Sequence, residues 1–227
     1  MNILKEEIMR VIIGCEFSQI ITMAFRNRGH EAYSCDLLPT EGQHPEWHYQ
    51  EDIFEVLKRE HFDIGIFHPP CTYLAASGAR WFKGNIDRHL KRLDAIKFVE
   101  TLWNTNIKKI AIENPIGFLS TMSELYEPTQ IIQPYEYGHP EKKSTCLWLK
   151  NLPELQPTKI MNIKEQRIHK LSALNGKGSS KNRQKERSRT YRGIADAMAT
   201  QWGKDTTLEE LWLSTPDEPG YNCETLM

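Results

Sequence analysis

Asp63-Ile64-Gly65-Ile66-Phe67-His68-Pro69-Pro70-Cys71 passes without a break from an apolar run into a stiff turn that ends on a thiol. A short, continuous apolar run of this kind reads as a strand buried on both faces. Two consecutive prolines fix φ and remove two N–H donors, so the turn is rigid and Cys71 is held at a strand end. The pattern recurs on either side. Val11-Ile12-Ile13-Gly14-Cys15 is another β-branched run, residues 32–37 form a strand that closes on Asp36, and residues 108–112 run into Glu113-Asn114-Pro115. Helices are expected between them: one capped by Ser18 and ended by Gly29, one over 52–60, and one over 86–105 with Ala95, Phe98, Val99, Leu102 and Trp103 on one face. Two more strands are expected within 129–138 and 142–150, and a last helix over 193–202. Strands alternating with helices predict an α/β fold with a mostly parallel sheet, whose ligands lie beyond the carboxyl ends of the strands. Cys15-Glu16, Asp36, Cys71 and Glu113 all fall on that edge.

The chain has 227 residues, 39% hydrophobic and 26% charged, so it can bury a core. Its 29 basic and 30 acidic residues exclude whole-molecule, histone-like attraction to nucleic acid. The basic residues are unevenly placed. Residues 164–192 hold ten lysines and arginines against two acids, in a Gly-, Ser- and Asn-rich stretch that reads as a mobile loop. Charge runs are ordinarily just solvated; this one stands beside an enzyme-like core and is expected to meet nucleic acid. The five cysteines (15, 35, 71, 146, 223) form no Cys-x-x-Cys pair, which fits neither a disulfide framework nor a structural zinc site. No metal is expected. No signal core and no membrane-length apolar run are present, so a cytoplasmic location and no membrane partner are expected. The expected organisation is one domain over 1–203, with 151–188 as an insert containing the basic loop, and an acidic tail over 204–227.

A lone cysteine is more often a small buried hydrophobe than a nucleophile, and Glu-Asn-Pro alone is a loop opened by proline. Together, one βαβ unit apart, the two motifs are more specific, because a right-handed crossover sets consecutive strand ends side by side. A thiol and a carboxyl facing one pocket suit addition to an electron-poor ring, in which the thiolate adds and the acid serves a ring nitrogen.

In these residues the chain resembles the DNA cytosine-5 methyltransferases, in the small form found in phage genomes. Pro70-Cys71 and Glu113-Asn114 match that family's Pro-Cys and Glu-Asn-Val motifs, with Pro115 for Val. Tyr137-Gly138-His139-Pro140-Glu141-Lys142-Lys143 is similar to its Tyr-Gly-x-Pro-Gln-x-Arg segment, with Glu141 for Gln, Lys143 for the first Arg and Thr145 for the second. Gly193-Ile194-Ala195-Asp196-Ala197 is similar to its C-terminal Gly-Asn-x-Val helix. The resemblance spans most of residues 10–203. It implies a Rossmann-like S-adenosylmethionine-dependent methyltransferase fold with a short basic insert, acting on carbon 5 of cytosine in DNA through a covalent adduct to a flipped base. Cys71 would be the nucleophile, with Glu113, Asn114 and Lys143 beside it. S-adenosylmethionine would be held by Cys15, Glu16, Phe17, Ser18, Asp36, Asp52, Pro69 and Asp196. Arg80, Lys181, Arg183, Lys185, Arg187 and Arg189 would meet DNA, with a monomer favoured. The family's Phe-x-Gly-x-Gly loop is replaced here by Gly14-Cys15-Glu16-Phe17-Ser18-Gln19, with one glycine. Two other functions stay open: a non-catalytic relative that binds nucleic acid or cofactor, and a folate-dependent pyrimidine-nucleotide modifier.

Overall fold

In the computed structural model, which describes residues 7–163 and 189–204, the chain forms a seven-stranded sheet in the order β3-β2-β1-β4-β5-β7-β6. The strands are β1 (Arg10–Gly14), β2 (Glu31–Cys35), β3 (His48–Tyr49), β4 (Ile64–Phe67), β5 (Lys109–Pro115), β6 (Gln130–Ile132) and β7 (Thr145–Lys150). β1 to β5 are parallel; β7 runs antiparallel to both β5 and β6. The order reverses between β1 and β4, the point at which open α/β sheets bind ligands. This Rossmann-like sheet, with one reversed strand between β5 and β6, agrees with the fold class that the resemblance implies.

β-Branched runs fill both sheet faces because each is covered by helices. Val11 and Ile13 point to one face and Ile12 to the other. On the first face, α1 (Ile20–Arg26) and α5 (Arg192–Trp202) pack against β1, β4 and β7 through Ile21, Phe25, Ile194, Met198 and Trp202. On the second, α2 (Ile53–Arg59) and α3 (Ile86–Trp103) cover Ile12, Phe67, Ile110 and Ile112. A short α4 (Leu119–Met122) follows β5.

Three local expectations are corrected. Ser18 is not the principal cap of α1. The buried Glu16 carboxylate accepts from Ile21 N (2.8 Å), Thr22 N (3.3 Å) and Thr22 Oγ1 (2.7 Å), while Ser18 Oγ accepts from Ile20 N at 3.4 Å. An acid suits this place, since the first turn of a helix presents unpaired N–H groups. The second strand stops at Cys35, and Asp36 N instead donates to Tyr49 O beside β3, which the sequence did not suggest. The expected strand over 129–138 is shorter, because Pro134 opens a 3-10 turn, Pro134–Glu136. In α3 the expected face of Ala95, Phe98, Val99, Leu102 and Trp103 packs on the core, while the N-terminal half exposes Ile86, Leu90 and Leu93 and buries Arg92.

Candidate active site

The parallel register pairs Phe67 with Ile112, so the next residues along each strand, His68 and Glu113, meet across the ladder. His68 Nδ1 lies 2.5 Å from Glu113 Oε2. One step further, the buried Asn114 donates from Nδ2 to Pro69 O at 2.9 Å. Asn114 therefore latches the proline turn to β5. It supports the site through that turn, and its buried Oδ1 has no partner among the described residues.

Cys71 follows this latched turn and opens the 3-10 turn Cys71–Tyr73 with its side chain exposed. The loop is then tied to the one after β5. Phe118 N donates to Leu74 O (2.8 Å), Ala76 N donates to Ile116 O (3.0 Å), and Ala75 and Gly117 form a bridge. The contact is close enough that a Cβ on Gly117 would collide with the Leu74 carbonyl. Arg92 fastens the same two loops. Its guanidinium lies 3.5 Å from the centroids of both the Phe82 and Phe118 rings, and its Nε donates to Tyr73 O at 3.4 Å. Sequence reasoning missed Arg92, because a charged residue on a helix is ordinarily assigned to solvent.

Among the described cysteines, burial sets Cys71 apart. Burial drives the Cys15 thiol well above its ordinary value, with Asp36, Cys35 and Asp52 adding to it. Burial likewise lifts Cys35 to about 12 and Cys146 to about 11. Such thiols are poor nucleophiles, because the thiolate is the reactive form. Glu113 moves the other way. Burial alone would raise its carboxyl, but the hydrogen bond from His68, with Lys143 behind it, outweighs burial and holds it below its ordinary value. These neighbours favour the carboxylate form of Glu113 at neutral pH.

The expected cofactor residues divide. Cys15, Asp36 and Asp52 come together at the ends of β1, β2 and the start of α2, close enough for both acids to act on the Cys15 thiol. Asp36 Oδ1 accepts from Leu38 N at 2.9 Å, and exposed Leu37 and Leu38 follow it. A half-buried carboxylate beside exposed apolar side chains fits a ribose diol and an adjoining adenine face. Asp52 spends one oxygen capping α2 through Phe54 N (2.8 Å). Pro69 is buried in the latched turn. Glu16 does not fit a ligand role, since its carboxylate is consumed by α1. Phe17 O accepts from Glu41 N and Thr40 Oγ1, and Gln19 reaches His44 O, so residues 40–44 fold over the first loop. Gly14 is required by packing: a Cβ there would lie 2.6 Å from the Phe67 ring. Asp196 is on the exposed side of α5, and the structure does not bring it to this group.

Among the other expected residues, Lys143 N donates to Gln133 Oε1, and its Nζ lies 5.8 Å from the Tyr191 ring centroid. Glu141 is bonded by Tyr191 OH at 2.5 Å. Arg80 is exposed and stacks on Trp81. Arg189 pairs with Glu41, which ties the start of α5 to the loop over β1. Lys181, Arg183, Lys185 and Arg187 lie outside the described residues. No helix among the described residues is long and apolar enough to cross a membrane.

No protein-family model matches the chain, and neither does any curated protein. Among solved structures it is similar to an Entamoeba histolytica methyltransferase, EhMeth, at 15% identity and a TM-score of 0.44 over 69% of this chain and 58% of that one. It is also similar to the S. pombe Dnmt2 methyltransferase, at 15% identity and a TM-score of 0.39 over 73% and 55%. A third is an rRNA methylase from Escherichia coli, at 14% identity and a TM-score of 0.36 over 63% and 57%. The chain spans less than two thirds of the length of each.

Proposed function

We propose that this protein is an S-adenosylmethionine-dependent methyltransferase acting on carbon 5 of cytosine in DNA. The observation that carries the proposal is the latched pair of strand ends. β4 delivers the exposed Cys71 through a rigid turn, and β5 sets the Glu113 carboxylate opposite His68, three residues before that thiol. The sheet edge also supplies an acid, Asp36, where a nucleoside-bearing cofactor would lie. S-adenosylmethionine, when bound, supplies the methyl group. The chain's own residues make carbon 5 able to accept it. Cys71 sulfur bonds to carbon 6, the ring's π electrons shift toward nitrogen 3, and a proton arrives there by way of Glu113. The carbon 5 proton is then lost to solvent water, sulfur departs with the bonding pair, and the aromatic ring is restored. The pyrimidine must leave the stack for this to occur.

Incubation of the protein with methyl-labelled S-adenosylmethionine and, separately, cytosine-containing DNA and RNA tests the proposal. The expected product is 5-methylcytosine in DNA. Label in RNA alone would change the substrate, and no label in either from a folded protein would contradict the activity.

A further inference from the structure

We propose that His68 is a positioning residue for Glu113, donating from Nδ1 to one carboxylate oxygen so that the other oxygen carries the proton between Cys71 and ring nitrogen 3. The inference rests on the proposed reaction and adds to it a residue on which the motif resemblance is silent.

The geometry comes from the sheet. His68 and Glu113 face one another because β4 and β5 are in parallel register, and their side chains are only 9% and 16% exposed. His68 Nε2 is buried and makes no hydrogen bond among the described residues. A hydrogen on Nε2 would be a buried donor without an acceptor, and would leave the Nδ1 lone pair against a carboxylate at 2.5 Å. Both arrangements are costly. A hydrogen on Nδ1 avoids both and gives a short, charge-assisted bond. Among the described residues the imidazole thus has one polar engagement, with Glu113.

The charged and titratable groups around Glu113 are His68 after β4, Lys143 before β7, and the Cys146 thiol on β7. The first two favour the carboxylate, and the third is buried and itself pushed up to about 11. Glu113 therefore begins the reaction without a proton to give. As the Cys71 S–H bond breaks and sulfur joins carbon 6, the carboxylate takes that proton and passes it to nitrogen 3. On elimination the proton returns by the same route, so no outside acid is consumed.

Two variants and two readouts test this. In the substrate-free full-length chain, long-range ¹⁵N–¹H spectra are expected to show His68 protonated at Nδ1 and shifted by Glu113→Gln. A hydrogen on Nε2, or no response to Glu113→Gln, would overturn the proposal whether or not the protein methylates DNA. In single-turnover methylation, His68→Leu is expected to lose roughly 10²-fold in rate. Its acid limb should move to higher pH, because a buried carboxyl without its partner rises. His68→Asn places an amide N–H near Nδ1 and should recover to within about tenfold of the parent, with the parental limb. Equal loss in both variants, with an unmoved limb, would make His68 a packing residue and overturn the proposal. Absent methylation by the parent, with the Nδ1 pattern intact, would instead count against the proposed reaction.

Discussion

Glu113 and Cys71 differ most from their counterparts elsewhere in the chain in how their neighbours treat charge. Cys15, Cys35 and Cys146 are thiols that burial keeps protonated; Cys71 sits in the open after a turn that Asn114 holds shut. Glu113 is the reverse case, a shielded acid kept ionised by an imidazole. Glu113→Gln retains the shape and removes the proton carrier, so turnover is expected to fall by roughly 10²–10⁴-fold while S-adenosylmethionine affinity holds. Steady-state kinetics with calorimetric cofactor binding checks this; unaltered turnover with weakened cofactor binding would place Glu113 in a different pocket. The depressed carboxyl also carries a stability signature. Its contribution is fully present above the unfolded value of about 4.3 and is lost as pH falls toward about 2. Urea midpoints of the parent and Glu113→Gln should therefore converge as pH is lowered from 6 to 3.

The elements of the site are two loops pinned to each other. Gly117 permits the contact with Leu74, and Arg92 rivets the loops from beneath through Phe82 and Phe118. Gly117→Ala should force the bridge apart, cost about 1–3 kcal/mol, and lower kcat much more than it raises KM for the cofactor. Thermal melts and kinetics read the two effects separately, and an unchanged kcat would show that the pinning is irrelevant to the reaction. Much of this scale was legible in the sequence. Apolar runs ending in Cys15, Asp36, Cys71 and Glu113 gave the strands and the edge on which chemistry gathers, because the buried strands of a parallel sheet have an unambiguous composition. The reversal of β7 was not legible, since period-2 patterning carries no direction. Nor were the caps and rivets. Glu16 looked like a ligand because it follows β1, and only the fold shows its carboxylate spent on α1. His68 could have been found by writing 63–68 beside 108–113 in parallel register, which sets it opposite Glu113.

Over the whole molecule the sheet brings the Cys71–Glu113 edge and the Cys15–Asp36–Asp52 cluster to its carboxyl edge, on either side of the switch point, while most of the basic excess lies in a segment outside the described residues. With a near-neutral total charge, attraction to a polyanion is expected chiefly from that segment. Its contribution is measurable as salt dependence. Each neutralised phosphate adds about −0.9 to the slope of log affinity against log salt for duplex DNA, so replacing Lys181, Arg183 and Lys185 by alanine should flatten the slope by roughly two to three units. An unmoved slope with methylation intact would shift DNA contact to the exposed Arg80-Trp81 segment beside the nucleophile loop. The most direct measurement for the account as a whole is covalent trapping on DNA containing 5-fluorocytosine, with S-adenosylmethionine present, because fluorine at carbon 5 blocks the elimination step. A stable protein–DNA adduct is expected, whose cross-linked peptide contains Cys71 and which is absent in a folded Cys71→Ala variant. An adduct that persists in Cys71→Ala, or maps to Cys15 or Cys146, would contradict it.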